Sequence, residues 1–169
     1  MVVREVFMIG NPTLREKSGK IMDFKDQELL IIIQDLKDTL KHLQQTKRIG
    51  RALAAPQIGY LRRIIYYGLP EEPFVMVNPR ILWRGKEKFR IWDSCFSFNV
   101  AFFVEIERYK SIQVEYQDEV GEKIIKTFSD SLSELIQHEI DHLEGILASD
   151  HLTDVKKIIL RQEWEKIAH

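Results

Sequence analysis

Two histidines and a glutamate occur together in a stretch that could bind a metal ion and use it. The stretch is Gln137-His138-Glu139-Ile140-Asp141-His142-Leu143-Glu144-Gly145. Residues four apart lie on one face of an α-helix, so His138 and His142 can direct two imidazoles at one ion. Glu139 lies beside that line, where it can act as general base toward a water at the metal. The spacing therefore predicts a catalytic metal centre carried by a helix.

The residues before the motif predict how this helix begins. Ser131 and Glu134 have the S-x-x-E spacing of a capping box, and the apolar residues that follow repeat at intervals of three and four. Gly145 predicts the end of the helix. Ser131 and Glu134 share the face of His138, so we expect them near the metal unless the capping box holds them at the helix start. A carboxylate in that position has to stay solvated or find a cation.

Cys95 is the only cysteine and a candidate for a third ligand. It follows a predicted strand, in the segment Trp92-Asp93-Ser94-Cys95-Phe96-Ser97, where a rigid element can hold it. Taken alone, a free cysteine is more often a buried core residue than a ligand. With His138 and His142 it would make a three-ligand site whose fourth corner is open to water, which is the arrangement of a catalytic metal.

Composition limits the classes of protein to which the chain can belong. Its 169 residues are most simply one domain, residues 1–169, able to fold without disulfides. With 25 Lys and Arg against 26 Asp and Glu, the charge balance argues against a DNA-binding or membrane-surface protein. The first seven residues carry charges where a signal peptide would need its apolar stretch, and the longest aliphatic run is too short to span a bilayer. We expect a cytoplasmic protein.

The remaining pattern predicts an α+β fold. Apolar residues at helical spacing predict a first helix from Asp26 to about Gln45. From Tyr60 to about Lys126 the chain is rich in β-branched and aromatic residues, which predicts antiparallel or mixed strands around the central motif helix. The predicted strands are 63–67, 74–77, 80–83, 88–92, 111–116 and 123–126.

A last amphipathic helix is predicted within Asp150–His169. Its apolar residues would dock on the body of the protein: Val155, Ile158, Ile159, Trp164 and Ile167. Basic residues would lie on or near its solvated side: Lys156, Lys157, Arg161 and Lys166. Such a basic surface is usually only solvated, but this one could contact RNA or a ribosome.

The segment Gly50–Gly59 consists mainly of small residues interrupted by a proline. This composition suits a backbone that passes close to another group rather than a regular element. Gln57 is the only uncharged polar side chain of the segment. Its amide could donate to an oxyanion, or it could be an ordinary solvated loop residue.

Three segments of the chain together resemble the peptide deformylases: 50–59, 93–97 and 137–145. That family carries G-x-G-L-A-A-x-Q, E-G-C-L-S and Q-H-E-x-D-H-L-x-G segments in this order and at this spacing. The third is matched residue for residue in this sequence. The resemblance extends over nearly the whole chain, and it is the conjunction of the three segments that makes it specific.

The resemblance implies a ferrous ion, with zinc or nickel as substitutes, held by Cys95, His138 and His142. Glu139 would be the acid and base, and Gln57 and the backbone N–H of Phe96 would donate to the oxyanion. The reaction would be removal of the formyl group from N-formylmethionine of nascent chains. The N-formyl peptide would be the partner, in a bacterial-type cytoplasm or in an organelle of that origin.

Several residues depart from the family pattern around the reacting centre. Ala52 replaces a glycine, Asp93 and Ser94 replace Glu-Gly, Phe96 replaces leucine, and residues 98–103 lack the usual arginine that meets the peptide backbone. With the carboxylate of Glu134, these departures predict an altered substrate preference, with kcat/KM on formyl-Met peptides about 10- to 100-fold below an ordinary deformylase. The candidate pocket residues are Gly50, Ala52, Leu53, Asp93, Ser131 and Glu134.

Two alternatives remain at this point. The chain could be another H-E-x-x-H metallopeptidase, with a downstream ligand such as Glu163. It could also be a non-catalytic relative that keeps the metal as a structural element, although a closed structural site would need a fourth protein ligand.

Overall fold

The computed structural model describes residues 2–167, which form three α-helices and eight β-strands. In chain order they are α1 (Gln27–Lys47), β1 (Ala52–Ala54), β2 (Ile64–Tyr67), β3 (Phe74–Arg84), β4 (Lys88–Asp93), β5 (Phe102–Tyr109), β6 (Ser111–Gln117), β7 (Lys123–Ser129), α2 (Asp130–Leu143), β8 (Ile158–Leu160) and α3 (Arg161–Ile167). Within this part of the chain, no helix is both long and apolar enough to cross a membrane.

The strands form two sheets with antiparallel pairing throughout. The larger sheet has five strands in the order β1-β2-β3-β6-β7, and the smaller has three in the order β4-β5-β8. Helix α2 contacts strands of both sheets, including β1 and β7 of the larger and β5 of the smaller. The predicted α+β class is confirmed, and the helix that carries the histidines lies between the two sheets.

Helix α1 begins and ends close to the predicted residues. The side chain of Asp26 caps its start by accepting a hydrogen bond from the Glu28 N–H, and Arg48 ends it in a left-handed conformation. One stripe of the helix is buried, as the apolar spacing predicts: Leu29, Ile32, Ile33, Leu36, Leu40 and Leu43. This stripe packs on β1 and β2 and supports the edge of the larger sheet next to the site.

Helix α2 begins earlier than the sequence predicts. Ser129 is its N-cap and Asp130 its first residue, so the predicted capping box at Ser131 does not form. The C-terminal end is as predicted, because the helix ends at Leu143 and Gly145 adopts φ +73°. A side chain at Gly145 would collide with the backbone of Arg15, so this position requires glycine for space as well as conformation.

Several strands differ from the prediction. The small residues Ala52–Ala54, expected to be irregular, pair with β2 as strand β1. The two strands predicted on either side of Asn78-Pro79 are one strand, β3, whose register shifts between Val77 and Arg80. Asn78 takes φ +52° there, which lets the chain absorb the proline as a bulge. Strand β5 is not among the predicted strands.

The C-terminal segment is only partly helical. Residues Ile158–Leu160 pair with β5 as a third strand, and helix α3 has only seven residues. Of the apolar residues expected to dock, Val155 and Ile167 are largely exposed, whereas Trp164 stacks on Phe103 with ring centroids 4.5 Å apart. Residues 158–160 therefore pair with the free edge of β5 as a strand, although their apolar spacing also suits a helix.

Candidate metal centre and active site

The two sheets and α2 bring three metal-ligating side chains together. His138 and His142 lie one turn apart on α2, and Cys95 follows the end of β4. One ligating atom from each of the three lies within 4.8 Å of the others, and all three residues are buried. The Sγ of Cys95 is 3.2 Å from Nε2 of His142. The three ligands predicted from the sequence therefore do converge.

The chemistry of this cluster fits a divalent transition metal. Burial by itself would raise the pKa of Cys95, but the adjacent His142 and His138 lower it to about 5, which favours the thiolate that binds metals. Within residues 2–167 the buried Nδ1 of His142 has no hydrogen-bond partner. A thiolate with two imidazoles is a ligand set suited to zinc, iron or nickel, and it leaves a coordination position open.

His138 is held in place from behind by a buried carboxylate. The Oδ2 of Asp93 lies 3.0 Å from its Nδ1, which leaves the other ring nitrogen for an ion. Burial would raise the pKa of Asp93, but His138 and Arg108 lower it to about 2. Asp93 was predicted to be a pocket residue; it does line the cavity, and its carboxylate also positions a ligand.

Behind Asp93 lies Arg108, which the sequence reasoning missed. Its guanidinium donates to Asp93 at 3.2 Å and to Asp141 at 2.5 Å, and Asp141 also meets Nε2 of His151 at 2.7 Å. Arg108 is only 4 % exposed. The signal for it was present, because Arg108 alternates with Val104 and Ile106 on the inward face of β5.

Glu139 lies in the cavity without being a member of the ligand cluster. It is buried, and burial raises the pKa of its carboxyl group to about 7. Within residues 2–167 its Oε2 has no hydrogen-bond partner. A carboxylate with a pKa near neutrality and a free oxygen is suited to take up and release a proton during catalysis.

Gln57 is fixed at the edge of the metal cluster. Its Oε1 accepts the backbone N–H of Ala54 at 2.9 Å. The amide nitrogen therefore points at Cys95 Sγ, 3.4 Å away, and at Ser97 Oγ, 3.2 Å away. The amide is thus a donor held beside the cluster, and Gln57 is 1 % exposed rather than a solvated loop residue.

A cavity of about 270 Å³ opens over the cluster. It is lined by four of the six pocket candidates and by Phe96: Gly50, Ala52, Asp93, Glu134 and Phe96. The other two candidates lie elsewhere. Leu53 points into the core beside α1, because neighbouring residues of a strand face opposite ways, and Ser131 is exposed on the first turn of α2.

Glu134 has a cationic partner at the opening of the cavity. Its carboxylate pairs with Arg51, and Arg51 also donates to the backbone carbonyl of Ser131 at 3.2 Å. Of the two outcomes predicted for this carboxylate, the structure therefore shows the ion pair. The carboxylate remains close to the cavity, because the Glu134 side chain is only 14 % exposed.

Phe96 and Gly50 depend on each other at the cavity wall. Gly50 has φ +112°, and a Cβ added there would overlap the ring of Phe96. The ring itself is buried against the α1 side of the core. The bulk that replaces the family's leucine is thus accommodated by a glycine that has no side chain.

The basic residues of the C-terminal segment are mostly engaged within the chain. Lys157 pairs with Glu105 at 2.7 Å, and Lys166 pairs with Glu163 at 2.7 Å. Arg161, expected on the solvated side, instead lines the cavity. Nothing in its own sequence segment indicated this position, since it depends on the pairing of β8 with β5.

Comparisons with known proteins agree with this site. Residues 3–158 match the family model described as polypeptide deformylase. The chain is 34% identical over 166 residues to the peptide deformylase of Pseudothermotoga lettingae, covering 98% of this chain and 92% of that protein. The peptide deformylase of Thermotoga maritima is 34% identical over 161 residues, covering 95% and 94%.

Solved structures give the same result. The crystal structure of the Thermotoga maritima peptide deformylase superposes with a TM-score of 0.82 at 32% identity, over 91% of this chain and all of that one. A Synechococcus elongatus peptide deformylase in complex with actinonin superposes with a TM-score of 0.83 at 27% identity, over 91% of this chain and 81% of that one. The chain therefore belongs to the polypeptide deformylase family, and it is a metal-dependent hydrolase of that family.

Proposed function

We propose that this protein hydrolyses the formyl group from N-formylmethionine at the start of nascent polypeptides. The observation that supports this most directly is the buried cluster of Cys95, His138 and His142 beside Glu139, at the floor of an open cavity. Formate and a free amine are the products, because the formyl C–N bond breaks as a water oxygen bonds to carbon. In this proposal residues 1–169 act as one domain.

Each residue at the cavity floor has a part in this reaction. Cys95, His138 and His142 would hold the metal ion, which would supply Lewis acidity to a water molecule and to the formyl oxygen. Glu139 takes the proton of the attacking water and passes it to the leaving amine, for which a pKa of about 7 is well suited. The Gln57 amide and the Phe96 N–H donate to the oxygen that becomes negative.

We propose ferrous iron as the native ion, with zinc or nickel able to replace it. A mixed thiolate and imidazole set is compatible with all three, so the donor atoms alone do not select among them. The predicted cytoplasmic location and ribosome contact through the C-terminal helix remain predictions. The second gains little support, because Lys157 and Lys166 pair with carboxylates of the chain and Arg161 lines the cavity.

The test is anaerobic purification, metal analysis and a formate-release assay on formyl-Met-Ala-Ser. We expect about one equivalent of a divalent metal per chain and formate release that chelation abolishes. Metal-loaded protein that releases no formate would contradict the proposal and favour the non-catalytic relative.

A Cys95→Ser variant distinguishes the proposed ligand set from that of a different H-E-x-x-H metallopeptidase, in which Glu163 would be the third ligand. If Cys95 is a ligand, the variant should lose most of its metal, whereas Glu163→Gln should keep all of it. The structure favours this outcome, because Glu163 is on exposed α3 and paired with Lys166. Full metal content in Cys95→Ser, together with loss in Glu163→Gln, would instead support a different metallopeptidase.

A further inference from the structure

Of the described residues 150–167 in the C-terminal segment, Arg161 is the one that lines the cavity. It is the first residue of α3 and follows directly on β8. Pairing of Ile158, Ile159 and Leu160 with β5 fixes its position, and its own backbone N–H donates to the carbonyl of Ala101 at 3.0 Å. The segment therefore holds a cation at the cavity by backbone hydrogen bonds.

The side chain of Arg161 is oriented by two further contacts. Its Nε donates to the carbonyl of Val100 at 2.6 Å, and its guanidinium carbon lies 4.7 Å from the ring centroid of Phe103. A guanidinium that is stacked and anchored at one nitrogen loses little further freedom when its other nitrogens form hydrogen bonds. This arrangement prepares the remaining donors for an acceptor in the cavity.

Those donors are largely free. Nη1 has only a long contact of 3.4 Å with Glu165, whose side chain is 54 % exposed, and we find no acceptor for Nη2 within residues 2–167. By contrast, the other cation at the cavity, Arg51, is already paired with Glu134. Arg161 is therefore the cation of the cavity with donors available to an incoming ligand.

We propose that Arg161 binds a backbone carbonyl of the substrate beyond its first residue, and so contributes to the affinity for substrates that extend past that residue. This inference rests on the proposed function. If the buried end of the cavity takes up the formyl group and the first residue, the chain that follows lies against the more exposed lining, where the Arg161 side chain is 29 % exposed. A peptide offers a carbonyl acceptor at each residue there, whereas formyl-Met amide offers none beyond its first residue.

The test compares Arg161→Gln with wild type on formyl-Met-Ala-Ser amide and formyl-Met amide. A lost hydrogen bond from a charged donor should raise KM for the tripeptide about tenfold with kcat within about twofold. The shorter substrate should change by less than about twofold. Lys166→Gln removes a positive charge from the same helix outside the cavity and should change neither value.

Equal losses on both substrates would contradict the proposal, because they would mean that Arg161 acts on the fold or the reacting centre. Unchanged kinetics on both would contradict it as well. If wild type cleaves neither substrate, the proposed function fails, and calorimetric binding of the same two compounds still tests Arg161. In that case the tripeptide should bind wild type about tenfold more tightly than Arg161→Gln, and equal affinities would overturn the proposal.

Discussion

The cavity has a floor and a mouth that are built in different ways. The floor consists of Gln57, Cys95, His138 and Glu139, with His142 of the same cluster beside it, and all five are buried. The mouth consists of Arg51, Glu134 and Arg161, whose charged side chains come from the loop before β1, from α2 and from α3. The floor residues follow the family pattern, whereas a charged residue at position 134 departs from it. In the proposed reaction the chemistry falls to the shielded residues of the floor, and we expect the more exposed residues of the mouth to influence substrate choice.

The two regions also differ in how they are supported. At the floor, His138 is held by the buried Asp93 and Arg108, and Gln57 is held by the buried Ala54 and Ser97. The mouth relies on charged pairs that are partly solvated, such as Arg51 with Glu134. Buried charges are costly to change, and exposed pairs contribute little to stability. Substitutions at the floor should therefore have larger effects than substitutions at the mouth.

The largest effect is expected for His138→Ala. It leaves two of three protein ligands, which rarely hold such an ion against water, so metal content should fall to background. Inductively coupled plasma measurements on the purified variant give the result. His42→Ala, on the exposed side of α1, should keep its metal. A metal-loaded His138→Ala protein would remove His138 from the ligand set.

Arg108, which lies behind the floor, should contribute to the free energy of unfolding. Arg108→Leu removes the cation between Asp93 and Asp141 and leaves buried negative charge, so the free energy of unfolding should fall by about 3–5 kcal/mol. Urea denaturation followed by circular dichroism measures this. Arg90→Leu removes an arginine from the same sheet, but its side chain is 72 % exposed and it should change stability little. Equal losses of stability in the two variants would mean that the buried ion pairs of Arg108 contribute no more than the exposed pair of Arg90.

Glu139→Gln tests the floor without disturbing its packing. The amide has nearly the shape of the carboxylate but cannot take the proton of water, so kcat should fall by at least ~100-fold. Metal content should stay at one equivalent, and formate release is the assay. Glu163→Gln makes the same chemical change on exposed α3 and should be fully active. Loss of metal from Glu139→Gln would instead give Glu139 a ligand or structural role.

The floor could be predicted from sequence because most of it is local. His138, Glu139 and His142 fall within one helical turn, and helical spacing alone brings them to one place. Cys95 and Gln57 were candidates by residue type alone, with bland alternatives left open, because spacing along the chain does not bring either of them to the helix. The resemblance added support for both assignments. At the mouth, Glu134 was expected from the sequence but its partner was not, because the Arg51–Glu134 pair joins residues 83 positions apart. The ion pair replaces the capping box that local sequence favours.

The C-terminal segment shows a second limit of local reasoning. Val155, Ile158 and Ile159 have helical spacing, yet residues 158–160 form a strand. The deciding factor is the free edge of β5, a strand not predicted from the sequence. Because β5 was not predicted, Arg108 on the inward face of β5 was not assigned to the site. The same holds for Arg161, which follows β8, the strand that pairs with β5.

The smallest effect is expected at the mouth, for Glu134→Leu. Glu134 is one helical turn before His138 and lines the cavity, so an apolar side chain there adds contact for the methionine thioether. Full burial of such a side chain stabilises by about 1.5–3 kcal/mol, and only part of that gain is available at an opening. We expect preference for formyl-Met-Ala-Ser over formyl-Ala-Ala-Ser, measured as the ratio of kcat/KM values, to rise about 3- to 10-fold.

The control separates charge from apolar contact. Glu134→Gln removes the same negative charge and also leaves Arg51 without its carboxylate, but it adds no apolar surface, so its preference should stay near the wild-type ratio. Arg51 is 45 % exposed and can remain solvated when its partner is gone, so neither variant should lose much stability. A ratio that rises equally in both variants would show that the charge itself, rather than lost apolar contact, weakens the preference for methionine. An unchanged ratio in both would mean that the first side chain contacts another wall of the cavity, and that the charged residue of the mouth does not set substrate choice.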